Sequence, residues 1–422
     1  MTPAPGHAPA FAEAAAFWLR LGFISFGGPA GQIAIMHREV VERRGWLDEA
    51  QFAGALNFCM LLPGPEALQL ATYLGWKLHG VRGGLVAGLG FIGPSIVLLL
   101  ALSWLYAAFG QLPAATGLLL GLKAAVIALV LQALVSIARR ALGRPLHVAL
   151  AVGAFVCVEW LRVPFPVVVL AAGLAGLAAS WRAPRPSAPR ATPDRVVAPR
   201  PTRIAAAGLA LWLLPLVAVT LAFGGESLWT RLYLFFTQAA LVTFGGAYAV
   251  LGYVTQHLVS DLGWVTAEQS VAGLALAETT PGPLVIVLQF MGFMAGWNNP
   301  APLEPAAAAV LAALLVSWAT FLPSFVFIFL GAPHVERLTQ EPRVGGSLAA
   351  ITAAVVGIIA TLALLLARVV LFPEGMTAGP SWLALGLVAA VWLVLRRTAI
   401  ALPWVLAGAA MAGLAAVQSG WA

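Results

Sequence analysis

Charge is scarce in this chain. Of 422 residues only 9% are Asp, Glu, Lys or Arg, while 61% are hydrophobic. Soluble domains carry about 25% charged and about 45–50% apolar residues, so a water-soluble globular fold is excluded. Cysteine is nearly absent: Cys59 and Cys157 both lie in apolar runs, which removes a disulfide-stapled scaffold. The six histidines are dispersed without ligand spacing, so no metal centre is expected. Lacking a Walker loop, the chain cannot draw on ATP by itself. Ser, His and Asp share no local context, so neither an enzyme nor a cofactor is expected. The start, MTPAPGHAPA, has no basic region and does not read as a cleaved signal. What is present is long apolar runs, enough for on the order of a dozen spans at about 20 residues each. They are continuous rather than alternating, which argues against an outer-membrane barrel. The fold class is all-α, a polytopic membrane protein.

Positive charge is concentrated in one hydrophilic stretch. Residues 180–203, SWRAPRPSAPRATPDRVVAPRPTR, hold six Arg and one Asp. Rich in Pro and Ala and without apolar periodicity, the stretch reads as a flexible linker. It lacks aromatics between its arginines, so nucleic acid is not the expected partner. The positive-inside rule explains it better and places it in the cytoplasm.

The chain is duplicated. Phe26-Gly27-Gly28 returns as Phe244-Gly245-Gly246, Gly45-Trp46 as Gly263-Trp264, and Pro63-Gly64-Pro65 as Pro281-Gly282-Pro283, all at one offset of 218. Pro94-Ser95 returns as Pro323-Ser324 and Ala124-Ala125-Val126 as Ala353-Ala354-Val355, at 229. An 11-residue insertion near Asn298-Asn299-Pro300 separates the registers. Two homologous halves are a usual build of secondary transporters. The expected division is an N-terminal repeat (1–179), the linker (180–203), an extra transmembrane segment (204–228) and a C-terminal repeat (229–422). One extra crossing between copies inverts the second. With the linker inside, Arg139, Arg140, Arg144, Lys77, Arg82, Arg396 and Arg397 also fall inside, as the charge rule requires. The N-terminus is then cytoplasmic and the C-terminus periplasmic.

Two segments per half are broken. Pro63-Gly64-Pro65 interrupts 50–78, and Gly27-Gly28-Pro29-Ala30-Gly31 interrupts 11–40. Either both cross or both re-enter. Re-entry is preferred because crossing would leave Arg38, Arg43 and Arg44 outside. A helix restarting after such a break offers unpaired N–H groups and a positive dipole end, with Pro29 and Pro65 suited to the first helical position. Four restarts meeting near mid-membrane would make an anion site from backbone. The bland alternative, kinks for close packing, explains one break better than two that each recur.

Charged residues within apolar runs are the other candidates. Arg20 and Lys123 would supply fixed positive charge, unless they snorkel to the interface. Glu66 follows the first Pro-Gly-Pro break and Glu278 precedes the second. The helix dipole accounts for Glu66 but disfavours Glu278, so both are assigned to proton coupling, Glu278 the stronger. Ser25, Asn57, Gln69, Thr243, Thr279, Thr280 and Gln289 add neutral polar groups around the breaks.

FISFGGPAGQIAIM, RRGWLDEAQF, LLPGPEALQLATYLGW and GFIGPS, with TFGGAYAVL and ETTPGPLVIVLQFMGF, resemble the chromate ion transporter family in its long, two-domain form. The resemblance implies export of chromate across the inner membrane and chromate resistance, with sulfate as the structural analogue. It carries Gly27, Gly28, Pro63, Gly64, Pro65, Glu66, Gly245, Gly246, Glu278, Pro281, Gly282 and Pro283 into the site. Ala247 stands where a partner for Pro29 would, so the halves are not equivalent. Sulfate transport and an oxyanion channel remain the rival readings. Membrane lipid is the expected surrounding, and a homodimer is left open.

Overall fold

A computed structural model describes residues 9–181, 201–244, 247–334, 342–375, 377, 379–398 and 400–420. Among them the regular structure is helical, with no strand. The first half contains α1 (Phe11–Ile24), α2 (Gly28–His37), α3 (Glu49–Cys59), α4 (Glu66–Phe109), α5 (Pro113–Ala141), α6 (Pro145–Glu159) and α7 (Phe165–Trp181). An additional helix, α8 (Pro201–Phe223), precedes the second half. That half contains α9 (Leu228–Leu241), α10 (Ala247–Thr255), α11 (Ala267–Thr279), α12 (Val287–Asn298), α13 (Pro305–Gly331), α14 (Pro342–Leu371), α15 (Trp382–Arg397) and α16 (Leu402–Gln418). Five helices among the described residues are long and apolar enough to cross a membrane.

The duplication extends to local detail. A π-helical turn ends α2 at Arg38–Arg43 and another ends α10 at Gln256–Asp261, at the 218 offset. Capping boxes open α3 (Asp48 with Gln51) and α11 (Thr266 with Gln269) at the same offset. In each, the cap side chain accepts from an orphan N–H and the glutamine returns the bond, so both helices start at a fixed residue.

Both broken segments of the first half re-enter. Arg44 Nη1 donates to Glu13 Oε1 at 3.2 Å, although 31 residues separate them. One continuous helix of that length would hold them about 45 Å apart. Likewise, His79 Nε2 lies 2.9 Å from the Pro9 carbonyl and His37 Nε2 2.7 Å from Glu49 Oε2. Thus the start of α1, the end of α2, the start of α3 and the middle of α4 share one end of the molecule. At His79 and Gly80 the α4 backbone leaves the helix, and Gly80 takes the positive φ of 63° that favours glycine. The chain reverses there into a short arm (66–78) and a long arm (81–109). The bare faces of Gly75 and Gly83 let the arms touch backbone to backbone. In the second half, Arg231 sits 5.6 Å over the Trp264 ring and Asn298 Nδ2 donates to the Trp264 carbonyl at 2.9 Å. The loop at 299–304, between α12 and α13, together with the first turn of α13, takes up the 11-residue insertion.

Inversion follows from one ion pair. Lys123, in the third turn of α5, reaches Glu268, at the base of the second hairpins, at 2.6 Å. That end is where the long arm of α4 finishes, opposite the base of the first hairpins. The remaining helices form a bundle. Gly117 of α5 packs on Gly413 of α16, and Gly346 of α14 on Gly176 of α7. Gly117 and Gly346 are equivalent at the 229 offset. Helix α8 leans on α9 and α13 with most of its apolar face exposed. Its Pro215 cannot donate to the Leu211 carbonyl, which instead accepts from Trp318 Nε1 at 2.9 Å.

Candidate functional site at the helix breaks

The two Pro-Gly-Pro tips cross into opposite halves. Gly64 N–H donates to the Thr243 carbonyl at 2.8 Å, and Gly282 N–H donates to the Ser25 carbonyl at 2.8 Å. These two bonds are equivalent at the 218 offset, so the tips meet about a pseudo-two-fold axis. Gly64 (φ 125°) packs on Ser324 and Gly282 (φ 100°) on Ser95, the repeated Pro-Ser positions. A side chain at either glycine would strain the backbone and strike the other half. The expectation that these glycine amides face an anion is therefore corrected: each already has an acceptor across the repeat. In a membrane, an amide freed by a break must find such a partner. Pro63, Pro65, Pro281 and Pro283 frame these junctions, Pro65 as the residue capping α4 rather than its first helical residue.

The Gly-Gly break differs. Gly27 caps α2 with φ 94°, Gly28 begins it with φ 67°, and no side chain caps the helix. A Cβ on Gly28 would meet nothing within 4 Å, and one on Gly27 nothing closer than 3.9 Å. The uncapped start of α2 thus faces open space. Gly245 and Gly246 lie outside the described residues.

Neither expected cation reaches the breaks. Arg20 stands on the outer face of α1 beside Leu19 and Phe23, which are 50% and 58% exposed. The buried face of that helix is Ala14, Phe17, Trp18 and Leu21. Lys123 is committed to Glu268 at the far end of the molecule. Snorkelling, the alternative open to both side chains, describes Arg20.

The carboxylates do sit at the breaks. Glu278 is buried in the last turn of α11 and accepts from the Tyr248 hydroxyl at 2.7 Å. Glu66 is the first residue of α4, half-buried, and makes no hydrogen bond or ion pair among the described residues. Tyr248 is a residue the sequence reading missed. Its place two positions after the second Gly-Gly was visible, but nothing local tied it to Glu278.

The neutral polar groups are mostly engaged. Ser25 Oγ donates to the Leu21 carbonyl at 2.7 Å, and Thr243 Oγ1 to the Ala239 carbonyl at 2.5 Å. Thr279 and Thr280 donate to the Leu276 and Ala277 carbonyls. Asn57 is exposed on α3. Three glutamines share one arrangement. Gln69 Nε2 donates to the Pro63 carbonyl at 2.7 Å and Gln289 Nε2 to the Ile96 carbonyl at 2.8 Å. Gln32, also missed from sequence, donates to the Gly282 carbonyl. In all three the Oε1 atom is buried with no donor. An amide that presents its oxygen cannot bind an oxyanion, so Gln69 and Gln289 do not serve as anion donors in this arrangement.

Comparison with known proteins bears on this geometry. The family profile described as chromate transporter matches residues 12–177 and 230–414, the greater part of both halves. The chain belongs to the chromate transporter family. A chromate transport protein of Pseudomonas aeruginosa is 34% identical over 376 residues, 88% of this chain and 84% of that one. One from Cupriavidus metallidurans is 30% identical over 410 residues, 95% of this chain and 92% of its own. A probable chromate transport protein of Synechococcus elongatus is 29% identical over 83% of each chain. No solved structure matches. Within this family's frame, both matched regions include a Gly-Gly hairpin, a Pro-Gly-Pro hairpin and part of the bundle, so the unit that recurs is the whole inverted repeat.

Proposed function

We propose that this chain is a secondary transporter carrying chromate out of the cytoplasm across the inner membrane, and so confers chromate resistance. The observation that carries the reading is the family match over both halves. The dianion meets the uncapped start of α2 at Gly27 and Gly28, where N–H groups and the helix dipole favour negative charge. Arginine placement supports the orientation. Arg38, Arg43, Arg44 and Arg82 lie at the hairpin bases beside Pro9. Arg139, Arg140, Arg144, Arg396 and Arg397 follow at that end by helix order, and the positive-inside rule makes it cytoplasmic. The hairpins with α13 and the long arm of α4 form one unit, the bundle another. Movement of one against the other would expose the site alternately to the two sides.

Uptake into everted vesicles tests this. Chromate is expected to accumulate against its gradient, with sulfate competing because it is a tetrahedral dianion with the same acceptors. Flux that equilibrates without accumulation would make the protein a channel. Accumulation of sulfate with no chromate flux would reassign the substrate.

A further inference from the structure

Buried polar atoms without a partner are rare in native folds, and each calls for an explanation. Four gather between the short arm of α4 and α13. They are Gln69 Oε1, Thr72 Oγ1, Thr320 Oγ1 and Ser324 Oγ, on residues no more than 3% exposed. Gln69 and Thr72 lie one turn apart on their helix, as do Thr320 and Ser324 on theirs. Bare Gly64 lies between the pairs: a Cβ there would sit 2.6 Å from Ser324 Oγ and 2.9 Å from Gln69 Nε2. A Cβ on Gly88 would sit 2.6 Å from Thr72 Oγ1 and against the ring of Phe325, the neighbour of Ser324.

The three hydroxyls can donate or accept, and Gln69 fixes the polarity of the cluster. Turning the Gln69 amide over would set its oxygen against the Pro63 carbonyl, so Oε1 is the free atom, and it only accepts. The duplicated chain supplies an internal control. At the equivalent positions stand Val287, Phe290 and Phe91, with Ser95, whose hydroxyl donates to the Ile92 carbonyl at 2.8 Å. The second tip therefore closes without unpartnered oxygens at these positions. The unpartnered oxygens of the second tip, Gln32 Oε1 and Gln289 Oε1, stand at other positions, so the four-oxygen cluster belongs to the first tip.

We infer that these oxygens form a site for a dehydrated monovalent cation, with sodium the ion they suit. Calcium and magnesium sites draw on carboxylates, and none belongs to the cluster. Backbone carbonyls beside broken helices hold transported sodium ions; here side-chain oxygens beside a break offer the same neutral acceptors. If the protein carries an oxyanion as proposed above, this cation supplies the positive charge that Arg20 and Lys123 do not. The site itself stands without that reading.

The test uses the purified full chain and no oxyanion. Its thermal midpoint is followed while sodium chloride replaces choline chloride at constant ionic strength, with potassium and lithium chloride as parallel arms. A saturable rise specific to sodium or lithium is expected. Thr320→Val, close to isosteric, and Gln69→Val, the residue of the other half, should each raise the half-saturating concentration at least ten-fold. Gln69→Glu, keeping an oxygen there, should retain the response. Equal responses to all salts, none at all, or unchanged midpoints in both valine variants would mean that water alone fills the cluster and would overturn the site. Because no oxyanion is present, that failure would leave the transport reading intact.

Discussion

The two pairs of hairpins have the same motifs and different surroundings. Helices α10 and α11 are buried on nearly every face, packed against α14 and α5. Among the described residues their counterparts α2 and α3 are packed less extensively, leaving Gly27, Ala30 and Ala34 exposed at one and Ala53, Asn57 and Met60 at the other. Within the bundle, by contrast, the Gly117–Gly413 contact has its mirror in Gly346–Gly176. Symmetry is kept inside each unit and lost between them. In the proposed transport cycle, a fold built twice whose units meet on one side only would have a second arrangement in which the contacts change places. The asymmetry is then one of position rather than construction, and it corresponds to one of the two states the proposed transport cycle needs.

Cross-linking gives the comparison its hardest test. A Cβ on Gly252 would lie 3.5 Å from Leu362 Cβ, inside the range a disulfide requires. In a background with Cys59 and Cys157 replaced by alanine, Gly252→Cys with Leu362→Cys should cross-link readily and reduce transport to background, with recovery on reduction. The mirrored pair is Ala34 and Ala133, by the offsets 218 and 229. Ala34→Cys with Ala133→Cys should cross-link only as the units exchange, and more in turnover than at rest. If the mirrored pair never links under any substrate or pH condition, the two arrangements do not interconvert as drawn.

The carboxylates sharpen the same contrast on a smaller scale. Met60 stands at the position equivalent to Glu278 and Leu284 at that equivalent to Glu66, so each half keeps one acid at its tip, at non-equivalent places. Only Glu278 has a hydroxyl donor, Tyr248, and Ala30 holds the equivalent of that position. A carboxylate about 5 Å from a dianion at an effective dielectric near 20 is repelled by roughly 3 kcal/mol for each of the two charges. Anion occupancy and protonation of Glu278 should therefore be linked. Glu278→Gln is expected to bind chromate and lose most of the pH dependence of vesicle uptake. Tyr248→Phe should displace the profile along the pH axis without flattening it, and Glu66→Gln should change it least. An unaltered profile in Glu278→Gln at normal rates would leave membrane potential as the drive.

Much of this architecture could be read from the residues because its signals are local. The repeat offsets predict the paired breaks, the insertion near Asn298 matches the loop at 299–304, and Arg38, Arg43 and Arg44 argue for re-entry, as the Arg44–Glu13 contact bears out. The site was less legible. That Gly64 donates to Thr243, or that Lys123 meets Glu268 145 residues away, depends on how one half crosses the other, and no local pattern encodes it. Arg20 is a different case. Ala14, Phe17, Trp18 and Leu21 mark the buried stripe at helical spacing, and Arg20 falls off it. Its charge drew attention that its phase on the helix did not support.

Lys123 and Glu268 provide the gentlest probe of the two arrangements. Their equivalents are Thr352 and Ala50, which cannot form an ion pair. The bond at 2.6 Å would therefore favour the arrangement seen here and be lost in the proposed exchange of the units. Lys123 is 13% exposed and Glu268 67%, so water screens the pair and its contribution stays near the value for surface bridges. About 1 kcal/mol corresponds to a shift of roughly five-fold in the balance of the two arrangements. Lys123→Met is expected to raise the cross-linking rate of the Ala34–Ala133 cysteine pair by about that factor, with chromate uptake altered no more than a few-fold. Glu268→Gln should do the same, and the double variant should add nothing, since both remove one interaction. Additive effects would show that each side chain acts through separate contacts. An unchanged cross-linking rate in all three variants would mean that the ion pair staples the fold without biasing the exchange.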